Sequence, residues 1–580
     1  MANTNHLRIA LAQLNPTVGD IAGNVSRLKR AYAEAARQGA DLVVFSELYI
    51  TGYPPEDLVL KPAFAAAARA ATEALAGEIS GGPAVIVGTV WPDAGKVYNA
   101  IAFLDGGTLQ AVRYKVDLPN YGVFDEKRVF TPGPLPGPIN FRGLRVGVPI
   151  CEDLWGEEVA ECLEECGAEL LISPNGSPFD LSKPDLRMNV VAARVTETRL
   201  PLVYLNQVGG QDELVFDGAS FVLSPDASLA VQLPAWEETV ALTEWTRGGN
   251  GWRCAAGAKA LFEEGAAAAY HACVLGLRDY VNKNEFPGVV LGLSGGIDSA
   301  LVAAMCADAL GPERVHCVMM PYRYTSSASL SDAKACAEAL GVRYDIVPIH
   351  EPVDGFARAL AEMFEGRVAD MTEENIQARV RGTTLMAISN KLGGMVVTTG
   401  NKTEMSVGYA TLYGDMNGGF NPVKDLYKME VYRLARWRNA HVPKGGKGPA
   451  GPVIGENVLT KAPSAELRPD QRDQDSLPPY EELDDILSCL VEHEMPLAEI
   501  VARGHAAETV KKVERLLYLA EYKRRQAPPG VKITSRNFGR DRRYPITNKF
   551  REGPWAAPAA RPQASAPRVT APRPGGGDAS

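Results

Sequence analysis

Residues 288–305 read GVVLGLSGGIDSALVAAM. The apolar run GVVLGLS has the length of a buried strand, and ALVAAM reads as a helix that begins after two glycines. Ser294, Gly295, Gly296, Asp298 and Ser299 crowd the junction. Glycine lets a backbone approach a ligand closely, and a helix start offers free amides and the positive end of its dipole to an anion. The spacing is neither the G-x-x-x-x-G-K-[ST] of a Walker A loop nor the G-x-G-x-x-G of a dinucleotide loop. From these residues alone, the junction is an anion-binding turn or a plain Ser or Asp helix cap.

Outward from that turn, strands and helices alternate. A helix at 266–283 (AAAAYHACVLGLRDYVNK) precedes it. Strands VHCVMM (315–320), YDIVPI (344–349) and MVVTTG (395–400) follow, with a helix at 329–340 (SLSDAKACAEAL). Strand, crossover helix and strand at this spacing predict a parallel sheet with right-handed connections. Residues 444–480 are rich in Gly, Pro and charge, a loop length that is uncommon in a compact domain unless the loop acts as a lid. Helices at 480–526 close the unit. From 551 to 580 a Pro- and Ala-rich tail lacks the composition of a core.

Towards the start, LRIALAQL (7–14), ADLVVFSEL (40–48), AVIVGTV (84–90), NAIAFL (99–104), VRYKVDL (112–118), LRVGVPI (144–150), AELLISPN (168–175) and PLVYLNQV (201–208) predict a second layered α/β unit. A helical hairpin is expected near 63–79, and a last strand or two plus a connector between 225 and 257. The chain has 580 residues, 46% hydrophobic and 22% charged, which excludes wholesale disorder and fibrous repeats. A net charge of -10 argues against a general nucleic-acid binder. Nine cysteines, an odd and sparse set, fit no disulfide scaffold, and Cys162 and Cys166 find no second pair at zinc-ligand spacing. No apolar stretch is long enough to span a membrane and no signal-peptide order opens the chain, so a cytoplasmic address is expected.

Three reactive side chains stand at or just past predicted strand ends: Glu47, Lys115 and Cys151. A cysteine that attacks an amide needs a base for its proton and a positive charge near the developing oxyanion. Histidine usually serves as the base, yet before residue 225 the only one is His6, ahead of the first predicted strand. Glu47 can take that part if partial burial raises its pKa, with Lys115 supplying the charge. Taken singly, each has a plainer reading: a core thiol, a strand-end carboxylate, a lysine with a buried stem.

The three blocks SELYITGYP (46–54), YKVDLPNYGVFDE (114–126) and ICEDLW (150–155), with LLISPNGSPF (170–179) after them, resemble the Glu-Lys-Cys triad of the nitrilase or carbon-nitrogen hydrolase superfamily. That resemblance implies an α-β-β-α sandwich, Cys151 as nucleophile, Glu47 as base and Lys115 supporting the tetrahedral intermediate. YGVFDEKR and SPNGSPF resemble the glutaminase branch, which implies a glutamine site lined by Tyr121, Glu152 and Ser177, with Asn175 shaping the loop and Glu126 a second carboxylate near the base. SGGIDS resembles the pyrophosphate loop of N-type ATP pyrophosphatases, in a Rossmann-like fold. Ser294, Gly295, Gly296, Asp298 and Ser299 would then bind ATP. VVTTGNKTEMSVGYATLYGDMNGGFNPVKDLYKMEVYRLA (396–435) and NIQARVRGTTLMAISN (375–390) resemble NAD synthetases. They imply that Thr399 and Lys428 bind ATP, that Glu404 joins Asp298 of the SGGIDS loop in holding Mg2+, and that Asn375, Arg379 and Asp415 meet deamido-NAD; EYKRRQAPPGVKIT (521–534) resembles the family's terminal dinucleotide-contacting segment, which adds Lys523. Asn375 and Arg379 fall i, i+4 on one helix face, as a shared site requires and as ordinary helix polarity also permits. KAPSAELRPDQRDQD (461–475) resembles the family's lid, with Lys461 and Ser464 at its start.

Together these imply a member of the glutamine-dependent NAD synthetases: a nitrilase-like glutaminase at 1–255, a connector at 256–270, an NAD synthetase domain at 271–550 and a tail at 551–580. The partners implied are ATP, deamido-NAD, L-glutamine and further copies of the chain through synthetase-domain dimers, with no nucleic acid and no membrane. The alternatives are an amidotransferase acting on another carboxylate or purine acceptor and, from a different class, a scaffold with two inactive enzyme folds. The scaffold predicts missing triad or loop residues, and none is missing.

Overall fold

Alternation of side chains along strand His6–Gln13 divides the first half of the molecule into layers. Leu7, Ile9 and Leu11 point into one core, Ala10 and Ala12 into another. In this computed structural model, which describes residues 5–249 and 251–552, the strand lies inside a seven-stranded sheet. The sheet runs Gly251–Cys254, Thr239–Gly248, His6–Gln13, Leu42–Phe45, Ala84–Asp93, Lys96–Asp105, Thr108–Tyr114. A six-stranded sheet faces it: Leu229–Gln232, Phe221–Leu223, Leu202–Asn206, Leu170–Asn175, Leu144–Gly147, Ile139–Phe141. Ile9, Val44 and Ile86 meet Val146, Ile172 and Val203 between the two sheets. Helices Ile21–Arg37 and Pro62–Glu78 cover the outside of the first sheet through Leu28, Ala31 and Leu75. Glu158–Glu165 and Lys183–Thr198 cover the second through Val159, Leu163, Val191 and Val195. The α-β-β-α order is therefore present.

Some local expectations are corrected. The hairpin expected at 63–79 is one helix, Pro62–Glu78, because its Ala-rich run contains no breaker before Gly77. Residues 225–257 form three strands rather than one or two. His6 opens the first strand instead of preceding it.

The second half centres on four parallel strands in the order Arg343–Ile346, Val315–Met319, Val289–Gly292, Met395–Val396. Val289, Leu291 and Cys317 face helices Gly265–Lys283 and Ile297–Leu310. Val290 and Val318 face Val353 of helix His350–Leu360 and Val380 of helix Met371–Leu392. The strand order reverses at Val289–Gly292, so the crevice beyond its carboxyl end is where a doubly wound sheet binds ligands. Residues 444–480 carry only the short turns of helix Glu456–Thr460 and Asp473–Asp475.

The halves share a core. Phe179, together with Val208 and Val215 of a separate two-stranded hairpin (Val208–Gln211 and Leu214–Asp217) in the first half, belongs to the same apolar cluster as Ala269, Tyr270 and Cys273 of helix Gly265–Lys283. Two main-chain bonds join them further: Leu181 N to Ile533 O at 3.0 Å and Lys532 N to Glu213 O at 2.9 Å. Residues 553–580, most of the expected tail, lie outside the described residues.

Candidate active site

The first cluster forms where three strand ends converge. Glu47 follows strand Leu42–Phe45, Lys115 follows Thr108–Tyr114, and Cys151 opens a short turn, Cys151–Leu154, after Leu144–Gly147. All three are buried. Lys115 Nζ donates to Glu47 Oε1 at 2.7 Å and to Glu126 Oε1 and Oε2 at 2.9 and 3.0 Å. Glu47 also accepts Asn99 Nδ2 and the Gly176 amide, both at 2.8 Å. Tyr53 OH donates to Glu126 Oε1 at 2.9 Å.

Burial opposes the charge on Lys115, but the Glu126 and Glu47 carboxylates outweigh it and hold the ammonium well above the usual lysine range. Burial, and next the negative charge of Glu47, push the Cys151 thiol well above its ordinary value. The resting group is thus a protonated thiol facing a carboxylate-lysine pair. A φ of +49° at Cys151 puts a non-glycine residue in the left-handed region at the tip of the strand-to-turn change. Glu47 is wholly buried rather than partly so.

Beside this cluster Tyr121 OH donates to Glu152 Oε1 at 3.0 Å. Ser177 is buried and its hydroxyl accepts Arg187 Nε at 3.0 Å. Arg187 uses its remaining donors on the Ser177 and Pro178 carbonyls and on both oxygens of Asp217. Asn206 Oδ1 accepts the Ser177 amide at 2.9 Å. Asn175 Nδ2 donates to the Ser173 and Leu205 carbonyls, which fixes the same loop. Lys183 stands with its ammonium 4.4 Å from the Trp155 ring centroid, and burial lowers its pKa. Asn99, Arg187, Asp217 and Lys183 escaped the sequence reading. Of these, only Lys183 had a sequence cue, a cation four residues beyond the SPNGSPF block.

The second cluster lies at the crevice predicted by the strand order. A cavity of about 260 Å³ is lined by Ser294, Gly296, Asp298, Ser299, Thr399 and Lys428, with Glu404, Asp415, Lys461 and Ser464 on its other walls. A neighbouring cavity of about 250 Å³ shares Ser294, Thr399 and Asp415 and adds Arg381. Gly295 has a φ of +79°, and a Cβ on it would fall 2.3 Å from Ser329 O, so only glycine fits between the turn and helix Ser327–Leu340. Lys428 Nζ donates to Asp298 Oδ2 at 2.6 Å and Glu404 Oε1 at 3.3 Å. Asn401 holds Asp298 Oδ1 at 2.8 Å and caps helix Lys402–Val407, which carries Glu404. Burial raises the Glu404 carboxyl to about 8 and the Asp415 carboxyl to about 6.

Asn375, Arg379 and Lys523 do not line this cavity; they gather around the turn 408–415, whose Tyr409, Ala410 and Asp415 do. Asn375 Oδ1 accepts Thr411 Oγ1 at 3.1 Å, Arg379 Nε donates to Leu412 O at 3.2 Å, and Lys523 Nζ donates to Gly408 O and Ala410 O at 2.8 and 2.7 Å. Asp415 Oδ1 accepts the Thr411 amide at 2.7 Å, which joins this group to the cavity. Over the loop, Lys461 Nζ donates to Asp332 Oδ2 at 2.9 Å, while the Ser464 hydroxyl donates to Gln471 O at 2.6 Å within its own segment. Glu466 accepts the Ser326 and Ser329 hydroxyls, both at 2.8 Å, and so closes the segment against helix Ser327–Leu340.

The carbon-nitrogen hydrolase family model matches residues 8–249, and the NAD synthase model matches residues 269–527. A protein of Rhodobacter capsulatus named glutamine-dependent NAD(+) synthetase is 52% identical over 549 residues, which cover 95% of this chain and 100% of that one. The chain belongs to the glutamine-dependent NAD(+) synthetase family. A family member from Acinetobacter baylyi is 44% identical over 94% of this chain and 99% of its own. The solved structure of the Acinetobacter baumannii enzyme in complex with adenosine diphosphate is 42% identical, with a TM-score of 0.75 over 95% of this chain and 100% of that one. A Cytophaga hutchinsonii structure at 23% identity shares the fold with a TM-score of 0.78.

Proposed function

We infer that this chain makes NAD from deamido-NAD, ATP and L-glutamine, releasing AMP, diphosphate and L-glutamate. The observation that carries the reading is the presence in one chain, in the order of the full-length relatives, of a buried Glu47-Lys115-Cys151 cluster and an SGGIDS crevice with Asp298, Glu404 and Lys428. We assign 1–255 to the glutaminase, 256–270 to a connector and 271–550 to the synthetase.

In the first reaction Cys151 Sγ attacks the amide carbon of glutamine while its proton passes to Glu47. Concerted transfer suits a thiol whose pKa burial has raised, since little thiolate stands ready. The Lys115 ammonium faces the oxygen that becomes negative, and Glu126 and Asn99 keep it and the base in place. Glu47 returns the proton to the departing ammonia, and water then cleaves the thioester. Glu152 and Tyr121 receive the ammonium of glutamine. Ser177 and the Lys183 ammonium receive its carboxylate, a pairing supported by the place of the Lys183 ammonium over Trp155 and near Glu152.

In the second reaction an oxygen of the nicotinate carboxylate attacks the α-phosphorus of ATP and diphosphate leaves. Ammonia then adds to the acyl adenylate and AMP departs. The amides of 294–299, with Ser294 and Ser299, hold the diphosphate, Thr399 meets the nucleotide and Lys428 offsets the charge. Asn375, Arg379, Asp415 and Lys523 orient deamido-NAD, and the segment from Lys461 and Ser464 excludes water from the adenylate. Asp298 and Glu404, whose carboxylates both line the cavity, offer hard oxygen ligands that would fit Mg2+. Bound there, the ion would supply charge neutralisation on the phosphates. Fusion of the halves raises the effective concentration of ammonia at the adenylate. The chain works as a homo-oligomer in the cytoplasm, and among its described residues no helix is long and apolar enough to cross a membrane.

The test is one assay on deamido-NAD with ATP and glutamine that measures AMP, NAD and glutamate together. Equal formation of AMP and NAD is expected; AMP formed only with another acid or purine acceptor would overturn the reading.

A further inference from the structure

The hydrogen bonds of Lys115 fix the lysine and the base to each other, and a different side chain joins the lysine's segment to the nucleophile's. Asp153 is buried, two residues after Cys151. Its Oδ1 accepts the amides of Val116 at 3.0 Å and Asp117 at 2.8 Å, the two residues that follow Lys115. Its Oδ2 accepts the amide of Ile150 at 2.9 Å, the residue before Cys151. One carboxylate therefore grips both catalytic segments by their main chains, across 36 and 37 positions of sequence.

We propose that Asp153 is a positioning residue of the amide-hydrolysing reaction, which sets the Cys151 sulfur in register with the Lys115 ammonium. A left-handed, non-glycine residue persists only where its surroundings over-determine it, and Cys151 has a φ of +49°. The bond to Ile150 N holds the chain immediately before that residue. The two bonds beyond Lys115 fix where its side chain leaves the main chain. Burial raises the Asp153 carboxyl to about 7, but the three converging N–H groups favour its ionised form, in which each oxygen accepts without donating and all three are satisfied together. An asparagine in its place retains one acceptor oxygen and turns an NH2 group toward a donor.

This inference rests on the glutaminase reading above. The test uses the full chain with Asp153→Asn and follows glutamate release, glutamine-driven synthesis and ammonia-driven synthesis. A fall in kcat of roughly ten- to hundredfold with glutamine is expected. The KM for glutamine should stay within about twofold and the ammonia-driven rate near wild type, because only the register of reacting groups changes. A kcat equal to wild type overturns the proposal, as does a rise in KM with kcat unchanged. If Asp153→Asn also loses the ammonia-driven reaction, Asp153→Glu decides: it keeps the charge but lengthens the reach. Lowered kcat with unchanged KM and normal ammonia use in that variant supports the register role, and any other result for it overturns it. Failure of the glutaminase reading itself is separate, since wild-type protein would then release no glutamate.

Discussion

Cys151 and Lys428 test the two sites separately. Cys151 lies in the sandwich, while Asp298, Glu404 and Lys428 line a crevice on the other sheet. Cys151→Ala is expected to abolish glutamine-driven NAD formation and leave ammonia-driven formation largely intact, read by NAD yield with each nitrogen donor. Loss of both in folded protein would contradict separate sites. Lys428→Ala should suppress AMP formation with either donor by about a hundredfold, the cost of one lost charge contact in a transition state. Labelling of Cys151 by a glutamine analogue should persist in that variant; equal AMP rates at saturating ATP would remove Lys428 from the site. Sequence made both residues legible because each stands in a compact block whose neighbours narrow its chemistry. It left Asn99 and Asp153 silent, since Asn99 acquires its part only by meeting Glu47, 52 positions away in sequence, and Asp153 by meeting amides 36 and 37 positions away.

Arg187 belongs to the scale of elements, because it fastens helix Lys183–Thr198 to the loop before it and to strand Leu214–Asp217. Its five N–H donors are spent on Ser177, Pro178 and Asp217, and both charged partners are buried. Removing one partner of such a pair leaves a lone buried charge, which costs about 3–5 kcal/mol. Arg187→Met should lower stability by that order in denaturant unfolding and raise the KM for glutamine, since Ser177 loses its anchor. An unchanged KM in folded protein would separate Ser177 from glutamine binding. The alternation of strand and helix that frames this loop was readable from period and length. The pair itself was not, because a lone Arg inside a helix and a lone Asp at a strand end carry no local pattern. The single helix Pro62–Glu78 was missed for a related reason: its Ala-rich sequence shows no break and no strong stripe.

At the scale of the whole molecule the halves meet through a core rather than a linker, and two facing glycines, Gly210 and Gly276, set how close they come. Gly276, in the middle of helix Gly265–Lys283, has no side chain where a Cβ would stand 2.6 Å from Val531 Cγ2 and 3.0 Å from Val215 Cγ2. Val215 belongs to the two-stranded hairpin of the first half and Val531 to the segment whose main chain bonds to Glu213 and Leu181. On helix propensity alone a larger residue at 276 would be favourable by up to about 1 kcal/mol. Here it would wedge the joint open, and overpacking of this kind costs about 1–3 kcal/mol. Gly276→Val should therefore lower Tm by a few degrees while the crevice residues keep their places, so ammonia-driven synthesis stays near wild type. Glutamine-driven synthesis should become wasteful, because ammonia released in one half escapes before it meets the adenylate in the other. The ratio of glutamate formed to NAD formed is the measurement, with a rise of roughly twofold or more expected as effective concentration falls. A ratio equal to wild type at the lowered Tm would mean that close packing at Gly276 stabilises the joint without helping ammonia cross it.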